Sequence, residues 1–170
     1  NITPDLLTCA KAINNAAVPM GAVIAKNEIY DTIVNAAPEG QIEFLHGYTY
    51  SAHPLACAAL LATQQLYVDE QLFARSKAMA PKLEAALHSL KDARHVIDIR
   101  NLGLVGGIEL EPRAGAIGRR GLEAHVKCFA AGVLVRFTGD ILALSPPLII
   151  EEAQIGRIVE TIRAALNSIE

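Results

Sequence analysis

Tryptophan is absent from this sequence, and phenylalanine and tyrosine number four each in 170 residues. Charge is thin as well: 19% of residues are Asp, Glu, Lys or Arg, and the formal net charge is −3. No basic cluster and no aromatic-interleaved basic stretch occurs, which argues against nucleic acid as a partner. Long apolar runs are also missing, none reaching the ~18 residues of a membrane span, and the opening NITPDLL lacks the layout of a signal peptide. The three cysteines (Cys9, Cys57, Cys128) are odd in number and far apart in apolar segments. They fit neither a disulfide framework nor a metal site, and are expected as buried thiols of a reducing, cytoplasmic compartment. What remains is 52% hydrophobic and dominated by Ala, Leu and Ile. Such a composition builds a sizeable core and suits helices packed on a sheet better than a sandwich of short strands.

Residues 5–10 and 20–25 (MGAVIA) are short apolar runs, expected as strands buried on both faces. Residues 26–36 have helical spacing, and APEGQIEFLHGYTYSAHP follows as a long loop whose aromatic content favours an ordered one. Pro54 opens a helix, because a proline at the first helical position loses no hydrogen bond. A second helix runs to about Leu90, with Pro81 expected to bend it. Strands HVIDIRNLG and VGGIELE, a helix from about Gly121 to Ala131, strands GVLVRF and ILALSPP, and a last helix EEAQIGRIVETIRAALNSI complete the chain. Glu151 and Glu152 in its first turn match the helix dipole. The expectation is an α/β chain: the tail of a mainly parallel α/β domain over 1–68, with a connecting helix, and a smaller α/β domain over 69–170. With so little lead-in, the chain reads as a portion of something longer.

Three places carry candidate chemistry. Lys11 is the one charged residue in TCAKAINNAAVPMGAV, at the end of an apolar strand and among small side chains. A snorkelling lysine is the plain explanation; a desolvated amine with room for a flat partner, nucleophilic toward carbonyls, is the chemical one. In HGYTYSAHP, Thr49 and Ser51 can offer hydroxyls and loop amides to a phosphate, while Tyr48 and Tyr50 can equally serve as anchors in an ordinary loop. His46 and His53 lack a third ligand at zinc spacing. Arg136, in GVLVRFTGD, either pairs with Asp140 or presents a planar guanidinium to a carboxylate. The glycines of NLGLVGGIEL have the wrong spacing for a dinucleotide fingerprint and fit a bend between strands.

Four stretches together resemble one family: TCAKAINNAAVPMGAVIA, FLHGYTYSAHPLACAALLA, VIDIRNLGLVGGIELEPR and AGVLVRFTGDILALSPPLII. In this order and spacing they are similar to the C-terminal part of class III pyridoxal-phosphate aminotransferases, nearest to the branch that moves amino groups between ω-amino acids and pyruvate. The resemblance covers essentially the whole chain and implies the remnant of a fold-type I large domain followed by the small C-terminal domain. It implies that Lys11 bonds the aldehyde of pyridoxal 5'-phosphate and serves as catalytic base. It further implies that Thr49 binds the cofactor phosphate of a neighbouring subunit and that Arg136 takes the substrate carboxylate. The partners would be amino and keto acids, without nucleic acid or membrane, in a homodimer or a dimer of dimers. Ala12 and Ala52 stand where many relatives have glycine. The family's pyridinium-binding Asp, Gly-rich phosphate turn and ring-stacking aromatic have no counterpart in these 170 residues, so the isolated chain is expected to be inactive. The alternatives are a non-catalytic truncated homologue acting as an interaction module, or another fold-type I enzyme such as an aminomutase or a decarboxylase.

Overall fold

A computed structural model describes residues 2–170. The chain divides into two compact units, Asn1–Glu70 and Gln71–Glu170. In the first, β1 (Leu6–Ala10) and β2 (Gly21–Ala25) pair antiparallel, from Leu6 opposite Ala25 to Ala10 opposite Gly21. The expected parallel pairing is not seen here, for a simple reason. A parallel crossover takes a dozen or more residues, and only the stretch from Lys11 to Met20 joins these strands. Nor are the strands buried on both faces: Leu6, Leu7, Val23 and Ile24 are exposed. Helix α1 (Asn27–Asn35) follows, then a stretch of turns, then α2 (Pro54–Asp69) with its proline in the first turn. Among the described residues of this unit, only Asn14, Ala56 and Thr63 are buried.

The second unit has a conventional core. Helix α3 (Leu72–His88) contains Pro81 and leads into β3 (Val96–Leu102) and β4 (Val105–Leu110). Helix α4 (Arg119–Ala130), the hairpin of β5 (Arg136–Thr138) and β6 (Ile141–Leu144), and α5 (Glu152–Asn167) complete it. The strands form one antiparallel sheet in the order β3-β4-β6-β5. The expected strand GVLVRF is regular only from Arg136, although Val133 and Val135 still enter the core. Period-two alternation sorts the sheet into two faces. Ile108, paired with Leu142, and Leu110 and Leu144 point into a core that includes Leu83, Leu87, Val159, Ile162 and Leu166 from the helices. α3 packs so closely that a Cβ on Gly106 would collide with Leu87 Cδ1. The other face carries a lateral row, Arg100–Gly107–Ala143–Arg136, each residue opposite the next. α5 begins with a capping box, in which the Gln154 side chain accepts the Glu151 amide.

Candidate functional site

Lys11 starts a short 3-10 turn, Lys11–Asn14, and its φ of 57° lies in the left-handed region. Asn15 (φ 54°) and Ala16 (φ 53°) are left-handed too. For residues other than glycine this conformation costs on the order of 1–3 kcal/mol each and persists only where neighbours enforce it. Here the enforcement is visible. The buried Asn14 donates from Nδ2 to Val18 O (2.7 Å) and accepts the Ala16 amide at Oδ1 (3.1 Å). From α2, Gln64 Nε2 donates to Ile13 O (2.9 Å) and the Tyr67 hydroxyl to Ala12 O (2.6 Å). Two side chains one helical turn apart thus hold consecutive carbonyls just after Lys11. The lysine itself is exposed, so of the two readings offered above the desolvated amine is not what these residues show, and among the described residues no ion pair or hydrogen bond engages its ammonium.

Thr49 is also exposed, in the segment before α2. It lines an open groove of about 1260 Å³ with His46, Gly47, Ser51 and Cys57, walled on the other side by residues 18–23 at the start of β2. Lys11 is not among the lining residues. The segment has a defined shape. The Tyr48 amide donates to His46 Nδ1 (3.2 Å), and the His46 ring lies 3.9 Å from that of Tyr48 and 5.9 Å from that of Phe44. Among the described residues no hydrogen bond occupies the Thr49 hydroxyl.

Arg136 opens β5, opposite Ala143, on the sheet face away from the helices. It borders a second cavity of about 670 Å³, shared with Ser145, Glu151, Gln154 and Arg157. The plain explanation, a pair with Asp140, does not hold. Asp140 is buried, and its carboxylate accepts the amides of Gly118 (2.6 Å) and Gly121 (2.9 Å) at the start of α4. That arrangement satisfies two orphan donors and suits the helix dipole. It also needs glycine at 121, where a Cβ would collide with Gly139 O and sit 3.1 Å from Asp140 Cα. Arg100, at the other end of the lateral row, is neutralised by Asp98 (2.5 Å) and Glu109 (2.7 Å), whereas among the described residues no ion pair engages Arg136.

Three titratable groups elsewhere in the second unit are shifted for structural reasons. The Glu123 carboxyl is held below its usual range by hydrogen bonds from Arg113 and Arg119. His95 is lowered, first by desolvation. Burial pushes the Cys128 thiol up to about 11, so it is an inert core residue. All three cysteines are free, with Cys9 and Cys57 only half-buried. No helix among the described residues is long and apolar enough to cross a membrane.

The description "Aminotransferase class-III" matches residues 1–166. The chain belongs to the class III aminotransferase family. A protein of Caulobacter vibrioides called omega-aminotransferase is 56% identical over 169 residues, covering 99% of this chain and 38% of that protein. The beta-alanine–pyruvate aminotransferase of Pseudomonas aeruginosa is 48% identical with the same coverage. Among solved structures, a transaminase with L-alanine superimposes with a TM-score of 0.88 at 29% identity, over 97% of this chain and 40% of its own. The adenosylmethionine-8-amino-7-oxononanoate aminotransferase of Methanocaldococcus jannaschii gives 0.87 at 26% identity, over 99% of this chain and 40% of its own. This class III aminotransferase chain therefore spans well under half the length of the relatives it matches. Sequence reasoning singled out Lys11, Thr49 and Arg136 but missed Asn14, Gln64 and Tyr67. The polar pair Gln64 and Tyr67, three apart on a largely apolar helix, was the available signal.

Proposed function

We propose that this chain is the Lys11-bearing portion of a pyridoxal-phosphate-dependent transaminase that transfers the amino group of an ω-amino acid or amine to pyruvate. The observation that carries the reading is the turn at Lys11: an exposed amine rooted in a left-handed residue, with the two following carbonyls tied to α2. A fold accepts such backbone where a side chain must be presented in one direction. The donor set fits the cofactor: an amine without a counter-ion among the described residues for its aldehyde, and a loop hydroxyl with Gly47 beside it for its phosphate. When bound, pyridoxal phosphate supplies a ring that draws electrons from the carbon bearing the amino group. Lys11 Nζ would hold the cofactor through its aldehyde carbon and, once an incoming amine has displaced it, would take the proton from the substrate carbon and deliver it to the former aldehyde carbon. The Thr49 hydroxyl donates to a phosphate oxygen, of a neighbouring subunit in a dimer. Arg136 takes the substrate carboxylate through its guanidinium, as a planar donor fork can.

The proposal concerns a polypeptide of the relatives' length containing this sequence, acting in the cytoplasm as a homodimer or dimer of dimers. The 170 residues alone supply 38% of that length and are not expected to turn over. The test is Lys11→Ala and Lys11→Arg in the long form, with β-alanine as donor and pyruvate as acceptor. Losing a positioned general base should lower kcat about 10²–10⁴-fold. Full turnover without Lys11 would refute the reading, and Thr49→Ala should weaken cofactor retention more than it lowers kcat.

A further inference from the structure

We propose that His125 is the positioning residue for Arg136, an inference that rests on the carboxylate role given to Arg136 above. β5 has only three residues and lies at the edge of the sheet, with β6 as its one neighbour among the described residues. An edge strand this short is held weakly by its own ladder. His125, on α4, supplies what the ladder lacks. Its Nδ1 lies 2.7 Å from Val135 O, just before the strand begins. A carbonyl oxygen only accepts, so Nδ1 carries the hydrogen and donates. The imidazole ring sits 5.0 Å from the ring of Phe137, with Phe129 at 6.4 Å behind it.

Val135 and Phe137 are the two neighbours of Arg136, and both turn inward. One histidine therefore fixes the chain on either side of the arginine, from the opposite face of the sheet. Asp140 binds the far end of the hairpin to the start of the same helix. Arg136 is left with a fixed root and a guanidinium that no protein group holds among the described residues. A carboxylate-binding arm needs this combination. Its fork reaches one place because its Cα does not wander, and it meets the ligand without first breaking an ion pair.

The experiment compares His125→Ala, His125→Asn and His125→Phe with Arg136→Ala in the full-length enzyme, using β-alanine and 1-phenylethylamine as donors. The acceptor is an aldehyde, so that only the first donor brings a carboxylate. His125→Ala should raise KM for β-alanine roughly two- to tenfold, the size of one ordinary hydrogen bond. Its kcat, and both constants for 1-phenylethylamine, should stay within error. His125→Asn keeps a donor near Nδ1 and should recover most of the loss. His125→Phe keeps the ring, guards against an unfolded variant, and should not. In an Arg136→Ala background, His125→Ala should add no further carboxylate-specific change. Equal losses for both donors, or none, in the His125 variants overturn the positioning role while leaving Arg136 untouched. An Arg136→Ala enzyme that treats both donors alike overturns the carboxylate reading, and this inference with it.

Discussion

Residues 71–170 enclose Ile108, Leu142, Ile162 and Leu166 completely, while residues 2–70 leave Leu6, Val23, Ile24 and Leu61 facing outward. The two units are made from similar apolar side chains, so composition does not separate them. In the second, three helices lie on one face of an antiparallel sheet, and alternate residues of β4 and β6 have somewhere to go. In the first, a two-stranded ribbon and two helices enclose little beyond Asn14, Ala56 and Thr63. A two-stranded ribbon is marginal by itself in water. What reinforces it here is polar: the Asn14, Gln64 and Tyr67 hydrogen bonds around Lys11. One unit is organised by packing, the other by hydrogen bonds around a single turn.

The largest effect that would break this contrast comes from truncation. Ile108→Ala, fully buried, should cost about 2–5 kcal/mol of unfolding free energy. Ile24→Ala, 58% exposed, should stay within about 0.5 kcal/mol. Chemical denaturation of the 170-residue chain measures both, and comparable losses would mean that the first unit has a core after all. A single methyl sharpens the contrast further. Gly121→Ala meets backbone at Gly139 O and should destabilise by about 1–3 kcal/mol, despite alanine's better helix propensity. Gly21→Ala meets only ordinary contacts, the nearest being Cys9 O at 3.6 Å, and should be close to neutral.

The smallest effect is electrostatic. Arg113 and Arg119 lower the Glu123 carboxyl, so the folded state holds that proton less tightly than the unfolded chain. The stabilisation is therefore present above the ordinary carboxyl value of 4.5 and is lost as pH falls through the lower folded value. Thermal unfolding between pH 6 and pH 3, followed for the second unit, should fall less steeply in Glu123→Gln than in the parent. Identical slopes would remove Glu123 from the acid response.

Much of the scaffold was legible because apolar periodicity carries it: the helices α1, α2, α3 and α5 begin and end within a few residues of where spacing and capping put them. Direction and partner were not legible. An apolar run says that a strand prefers cover, not which strand lies beside it, and β1 and β2 proved antiparallel and exposed. Arg136 and Asp140 are four apart, and that proximity misled. The turn at Gly139, with its φ of 57°, sends the aspartate to the start of α4 instead. Lys11 stood out as a lone charge. The braces of its turn, Gln64 and Tyr67, bind carbonyls 51 and 55 positions away in sequence, a separation that no local pattern reports.

The left-handed backbone at Lys11 bears on how this family can vary. Glycine is the residue that this conformation suits, since it alone enters the region without a Cβ penalty. A drift toward greater robustness would therefore tend to erase the lysine, and with it the chemistry proposed for it. The position is one where fitness for folding and fitness for turnover select different letters. The same tension extends to Gln64 and Tyr67, whose bonds soften the penalty. A lineage that kept its reaction would hold all three together, and one that abandoned it would be released at all three at once.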